Sequence, residues 1–419
     1  MKQKFTGLRC VVLSGYHTSR SERLLATPTS VLIAAMISMV PGFAIAQVQS
    51  SYPGTVPGTG QARCYDDAGP IACPDRGQPY FGQEPGFRVA PRSLRAHDDA
   101  TVSDEVTGLT WTRAWYGPMS WAEAQSAAAA LRLGGHKDWR LPSIKELYTL
   151  MDFGRGYFSA TADTSVPFID TSLFDFSYAT GTRFIDVQEW SATPYVATTM
   201  NRDATIFGVN FADGRIKGYP LYRPGSGGRQ PQVMRARFVR GPGYALNRLT
   251  DQGDGTVTDA STGLMWQKRD DGVGRNWRDA LAYCASLTLA GHHDWRLPHA
   301  KELHTVVDYT HAPAATGSAA LVPPLQTSII ESYFWTATTI ADGPSHAKYD
   351  KAVYFAFGRA LGWMALPPRT DQRQLMDVHG AGAQRADFKA GDPTRYPQGF
   401  GPQGDEVRIL NQVRCVRRL

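Results

Sequence analysis

The stretch Asp138-Trp-Arg-Leu-Pro-Ser-Ile-Lys-Glu-Leu-Tyr-Thr-Leu-Met-Asp-Phe153 returns later in the chain as Asp294-Trp-Arg-Leu-Pro-His-Ala-Lys-Glu-Leu-His-Thr-Val-Val-Asp-Tyr309, identical at ten of sixteen positions. The flanking blocks return in the same order. Upstream, Thr107-Gly-Leu-Thr-Trp111 matches Thr262-Gly-Leu-Met-Trp266, and Trp121 matches Trp277. Downstream, Glu189-Trp-Ser-Ala-Thr193 matches Phe334-Trp-Thr-Ala-Thr338, and Val209-Asn-Phe-Ala-Asp-Gly-Arg215 matches Val353-Tyr-Phe-Ala-Phe-Gly-Arg359. The series closes with Arg237-Phe-Val-Arg240 against Arg414-Cys-Val-Arg417. Colinear blocks over roughly 150 residues describe a duplicated domain, not a short solenoid repeat. The first copy is read as residues 96–245 and the second as 246–419.

Within a copy, turn dipeptides such as Asp254-Gly255 followed by alternating Thr256-Val257-Thr258 predict opening hairpin strands. Ser120 with Glu123 forms a capping box before an alanine-rich helix that stops at Gly134-Gly135. In the second copy Asn276 is the cap and Gly291 the stop. A second helix starts after Leu-Pro, with Ser143 and Glu146 as another capping box and Leu147, Leu150 and Met151 on one face. Aromatic-rich strands around Trp190, Phe207 and Phe211, and around Trp335, Tyr354 and Phe357, close each copy. The expected fold class is α+β, with two helices packed on antiparallel strands per copy.

The chain has 419 residues, with ordinary apolar content and generous glycine and proline, so a real core joined by many turns is expected. Its N-terminus is different. Lys2, Lys4, Arg9, Arg20 and Arg23 precede an apolar run from Val31 to Val40 and an Ala44-Ile45-Ala46 motif. This is the pattern of a secretory signal, with residues 1–46 removed. The apolar run is shorter than the ~20 residues of a comfortable membrane span. The signal carries five basic residues and one acid, Glu22, so of the whole-chain charge of +6 the mature chain keeps +2. That near-neutral balance argues against nucleic acid as a partner. The mature chain is expected to be exported, to the periplasm, the outer surface or the medium, without a transmembrane segment.

Four cysteines remain after cleavage, and exported chains use them in pairs, with three connectivities open. Cys284 and Cys415 both fall in the second copy, where the first copy has Ala128 and Phe238. A pair gained or lost together points to Cys284–Cys415, leaving Cys64–Cys73 in the 47–95 segment.

The order T-G-L-x-W, helix, D-W-R-L-P-x-x-K-E-L, aromatic strand, G-R and terminal R-C-V-R resembles the Lcl C-terminal domain family (DUF1566). The resemblance covers both copies, nearly all of the mature chain, and the segment Gln61–Gly82 is similar to a leader found ahead of such domains. It implies tandem C-type lectin-like domains, related also to the formylglycine-generating-enzyme fold. It supports Cys284–Cys415, because lectin-like folds commonly tie the first helix to the last strand. In the adhesin that names the family, the domain binds sulfated polysaccharides and host surfaces.

Asp138, Trp139 and Arg140, with Asp294, Trp295 and Arg296, are read as a structural motif: a buried Trp beside an Asp–Arg pair at the entry to the second helix. Asp251, Asp254 and Asp259 carry oxygens at spacings reminiscent of calcium loops, without the distal Glu of an EF-hand. Calcium is the one cofactor considered; otherwise none is expected. His292, His293, His299, His304 and His311 cluster near the second helix of the second copy, yet only His304 and Asp308 share a face there. No nucleophile elbow, Walker loop or dinucleotide fingerprint occurs, and no catalytic residue is assigned.

The copies are unequal in one further way. Arg215 and Arg237 are 22 positions apart, whereas Arg359 and Arg414 are 55 apart. The insertion, 360–406, is rich in Gly, Pro and Asp and carries Trp363 and Tyr396. Long loops in compact domains are usually functional or disordered. The one strong basic cluster follows the insertion, Arg408, Arg414, Arg417 and Arg418, and Trp363, Tyr396, Arg408, Arg414 and Arg417 are the expected ligand-binding residues. The expected function is a non-enzymatic exported binding or adhesion module for a glycan or an envelope protein. The alternatives are an envelope scaffold subunit or an enzyme on a formylglycine-generating-like fold. An oligomer is compatible with either binding role.

Overall fold

A computed structural model describes residues 56–419 apart from 88, 182, 201, 226, 227, 367 and 368; the signal segment and Cys10 lie outside the described residues. The described residues form one compact unit. The fold is mostly β with few, short helices, arranged as two tandem domains.

The first copy runs β1 (Leu94–Ala96), β2 (Thr101–Asp104), β3 (Leu109–Thr112), β4 (Tyr116–Met119), α1 (Trp121–Ala130) and α2 (Ile144–Tyr148). It continues through β5 (Glu189–Pro194), β6 (Thr205–Asn210), β7 (Arg215–Pro220), β8 (Met234–Ala236) and β9 (Val239–Arg240). One sheet has the order β9-β3-β2-β1 and the other β4-β8-β5-β6-β7. The second copy repeats the first sheet as β10 (Leu249–Asp251), β11 (Thr256–Asp259), β12 (Leu264–Gln267) and the terminal β18 (Val416–Arg418). Between them come α3 (Trp277–Ser286), α4 (Ala300–Thr305), β13 (Tyr333–Ile340), β14 (Lys351–Ala356), β15 (Leu361–Leu366), β16 (Arg369–Asp377) and β17 (Gln384–Phe388). Its second sheet is β13-β14-β17.

The capping boxes at Ser120 and Ser143 form, and Asn276 caps α3. His299 caps α4 in the same box with Glu302, where the first copy uses Ser143. The second helices are shorter than the apolar face implied. α2 ends at Tyr148, and Leu150 and Met151 are buried beyond it in turns. The 360–406 insertion is not a long irregular loop. Its first part is the β15–β16 hairpin, placed in the turn between β14 and β17, so that β17 rather than the residues after Arg359 takes the place of β7.

The Asp-Trp-Arg-Leu-Pro block explains itself once folded. Trp139 and Trp295 are buried, and their indole N–H groups donate to the carbonyls of Leu133 and Leu289. The anticipated Asp–Arg pair does not form within the block. Asp138 and Asp294 instead meet Arg240 and Arg417 of the closing strands, at 2.8 and 2.7 Å. Arg140 and Arg296 make bidentate pairs with Glu146 and Glu302 of the following helix. The motif thus ties the chain entering the helix to both the helix and the last strand.

The Lys of each Lys-Glu-Leu reaches across to the other copy. Lys145 Nζ donates to Thr305 O and Lys301 Nζ to Thr149 O, both at 2.7 Å. These are equivalent residues exchanging equivalent bonds, which is the signature of a local twofold axis. Tyr148 and His304, also equivalent, meet edge-to-face at 4.7 Å beside them. The main apolar core accordingly runs through both copies, joining Leu147, Leu150 and Phe207 to Leu303, Val307 and Phe355.

The leader is part of this body. Pro57 bridges Ala90, so the segment between them is a closed loop laid over the second copy. Gln61 exchanges amide hydrogen bonds with Thr339, Asp66 O accepts from Lys389, and Tyr80 packs on Trp277. Gly154 is a glycine for close approach, because a Cβ there would lie 1.9 Å from Gly60 O. The bonds Cys64–Cys73 and Cys284–Cys415 are both present.

Candidate functional site

The edge strands β7 and β17 of the two central sheets face one another where the copies join, and Gly218 N donates to His379 O at 2.7 Å. Strand register sets what they present. Asn210 pairs with Arg215 and Gly208 with Lys217; Tyr354 pairs with Arg385 and Ala352 with Asp387. Since Val209 and Val353 correspond, Arg215 and Arg385 stand at equivalent positions, and so do Lys217 and Asp387. All four line a cleft of about 100 Å³.

Most charges in the cleft are matched. Arg215 pairs with Asp342 across the junction and lies 3.8 Å from Asp213. Arg385 pairs with Asp405, which also accepts from His379 Nε2 at 2.8 Å. Burial alone would raise the Asp405 carboxyl, but Arg385 and His379 outweigh it and hold it far below the usual range. Burial lowers His379 to about 4, so the ring is neutral at pH 7. Lys351 bonds Asp350 Oδ1 at 2.9 Å, its ammonium 4.8 and 5.2 Å from the rings of Phe388 and Phe400. Asp387 accepts from the backbone N–H groups of Arg408 and Ile409 and from Asn411, and burial raises it to about 6. Lys217 has no carboxylate within ion-pair distance among the described residues; burial, helped by Arg385, lowers it to about 8. Phe388, Tyr396 and Phe400 pack on one another at the mouth, with Phe400 45% exposed.

The residues expected to bind ligand do not converge. Tyr396 belongs to the aromatic trio just described. Trp363 lies on β15, half-buried, its backbone N–H donating to Gly404 O, and does not line the cleft. Arg408 stacks on Tyr333 at 3.5 Å, pairs with Glu406 and donates to Glu331 O. Arg414 is fully buried and spends its guanidinium on the carbonyls of Gln267, Lys268 and Gln326, as Arg237 does in the first copy with those of Arg113 and Asp175. Arg414 therefore closes the domain and cannot meet a ligand. Arg417 is engaged by Asp294.

The calcium candidates also disperse. Asp251 pairs with Lys268, Asp254 caps Thr256, and Asp259 is buried under Arg248 N, Asn247 and Ser261. His304 bonds Tyr309 rather than Asp308, which turns to His311. Among the described residues, no group of three or more His, Cys, Asp or Glu side chains is set to hold a metal ion.

The family model of the Lcl C-terminal domain matches residues 100–230 and 255–370, more than half of the chain and once per copy. The chain belongs to that family. No curated protein and no solved structure gives a significant match. Among the described residues of this Lcl C-terminal domain protein, no helix is long and apolar enough to cross a membrane. Two disulfides fit an exported protein.

Proposed function

We propose that this is an exported binding protein that holds a polar ligand, a glycan residue, in the cleft between its two domains, on what we read as a C-type lectin-like scaffold. The observation that carries the reading is the combination of an aromatic trio, with Phe400 exposed, and a floor of mostly paired charges supplied by both copies. Aromatic walls with a few convergent polar groups are the usual make-up of a small-ligand site. The test is a glycan array followed by titration calorimetry on the mature protein. Phe400→Ala and Lys217→Ala should each weaken binding about tenfold, the loss typical of removing one well-placed contact. Phe400 is exposed and Lys217 makes no ion pair among the described residues, only a cation–π contact with Tyr219 at 4.8 Å, so melting temperatures should move little. Binding unchanged in both variants would move the ligand elsewhere.

A second reading, an envelope scaffold, draws on exposed Val273, Ile329, Ile330 and Leu410 in the second copy. A single stoichiometric partner in a crosslinked envelope pull-down, lost on Leu410→Asp, would favour it.

A further inference from the structure

We propose that Lys145 and Asn247 condense into an intramolecular amide that covalently joins the first copy to the second. Lys145 Nζ has two acceptors at the junction, Thr305 O at 2.7 Å and Asn247 Oδ1 at 3.5 Å. Asn247 Nδ2 donates to Asp259 Oδ2 at 2.8 Å. An ionised carboxylate only accepts, so this bond fixes which way the amide points and turns its carbonyl toward the amine. Asp259 is itself immobile, fully buried and held by Arg248 N and by Ser261 N and Oγ. Burial lowers Lys145 to about 8, so a neutral, nucleophilic amine is available near physiological pH.

The step balances without an oxidant, metal or cofactor. The Nζ lone pair attacks Asn247 Cγ, the Nζ–Cγ bond forms and the Cγ–Nδ2 bond breaks. One proton leaves Nζ and reaches Nδ2, relayed by the Asp259 carboxylate already bonded there, and ammonia departs. Duplication supplies an internal control. The residues equivalent to Lys145, Asn247 and Asp259 are Lys301, Arg92 and Asp104. Arginine offers no acyl carbon, so only one of the two sites can react.

Intact mass spectrometry of the folded, exported protein tests this. Digestion should release a branched Lys145–Asn247 peptide, and the wild type should be lighter by one ammonia, about 17 Da, than its sequence with both disulfides and the N-terminal Gln47 in whatever form its own peptide shows. Asn247→Ser, at a half-exposed position, and Lys145→Arg should both lack this additional ammonia loss and the branched peptide. Asn247→Asp should react more slowly and lose water instead. A folded wild type whose mass deficit after prolonged incubation above pH 8 equals that of Lys145→Arg overturns the crosslink, as does a branched peptide mapping to any other pair. The cleft-binding reading does not enter either outcome.

Discussion

Trp295 is fully buried, and its neighbours on each side are committed to other elements: Asp294 to the last strand, Arg296 to Glu302. Trp295→Ala should cost about 3–5 kcal/mol, the usual range for a buried Trp, and circular dichroism should show loss of cooperative unfolding. A normally folded variant would contradict the structural role. The Arg296–Glu302 pair has a pH signature. Burial would raise Glu302, but Arg296 and His299 outweigh it and bring it to about 2. An unfolded glutamate titrates near ~4.3, so the pair's contribution is complete above that value. It drains away as pH falls toward about 2, on the order of 3 kcal/mol in all. Wild type should be the more stable above that window, and its acid denaturation curve should converge with that of Glu302→Gln as pH falls through it. The recurrence of these residues in both copies was legible in the sequence. Their partners were not, because Arg240, Arg417 and the helix Glu are joined to them by tertiary packing and not by local spacing.

At the scale of elements, caps and turns were readable because each is a local contest between a side chain and nearby backbone groups. The leader was not. It reads as a linker in sequence, yet it buries Trp277 and lies against Leu281, where the first copy has half-buried Trp121 and exposed Gln125. Deleting 56–90 should therefore lower the melting temperature sharply and raise binding of hydrophobic dyes, as two apolar side chains on α3 meet water. The cleft escaped detection for a related reason. Arg215-Ile-Lys217 and Arg385-Ala-Asp387 have the alternation of strands, but nothing local says that the two strands face each other. The terminal arginines misled because a basic cluster in sequence is not a basic patch once its members are spent on carbonyls. Cys284–Cys415 closes a stretch of 131 residues. Its removal as a double Cys→Ser variant should cost about 2–5 kcal/mol, read by thermal unfolding.

At the scale of the whole molecule, the duplication was plain but the union of the copies was hidden. Their shared core and the exchanged Lys145 and Lys301 bonds predict a single cooperative calorimetric transition for the mature chain. Two resolved transitions would show independent domains. Residues 96–245 alone should fail to fold stably, since Tyr148 and Phe207 would lose His304 and Tyr309. Burial lowers Lys301 to about 7, far below an unfolded lysine near ~10.4. The unfolded state thus binds the extra proton, and stability should rise as pH climbs between those values. The local axis has one more implication. In an assembly of identical subunits, a side chain beside the axis must confront its own twin, so a lysine there would face a lysine. Fusion into one polypeptide lifts that constraint. Lys217 and Asp387 hold equivalent places in strand register yet differ in sign, and mutation can reshape either half of the cleft while the other stays as it was.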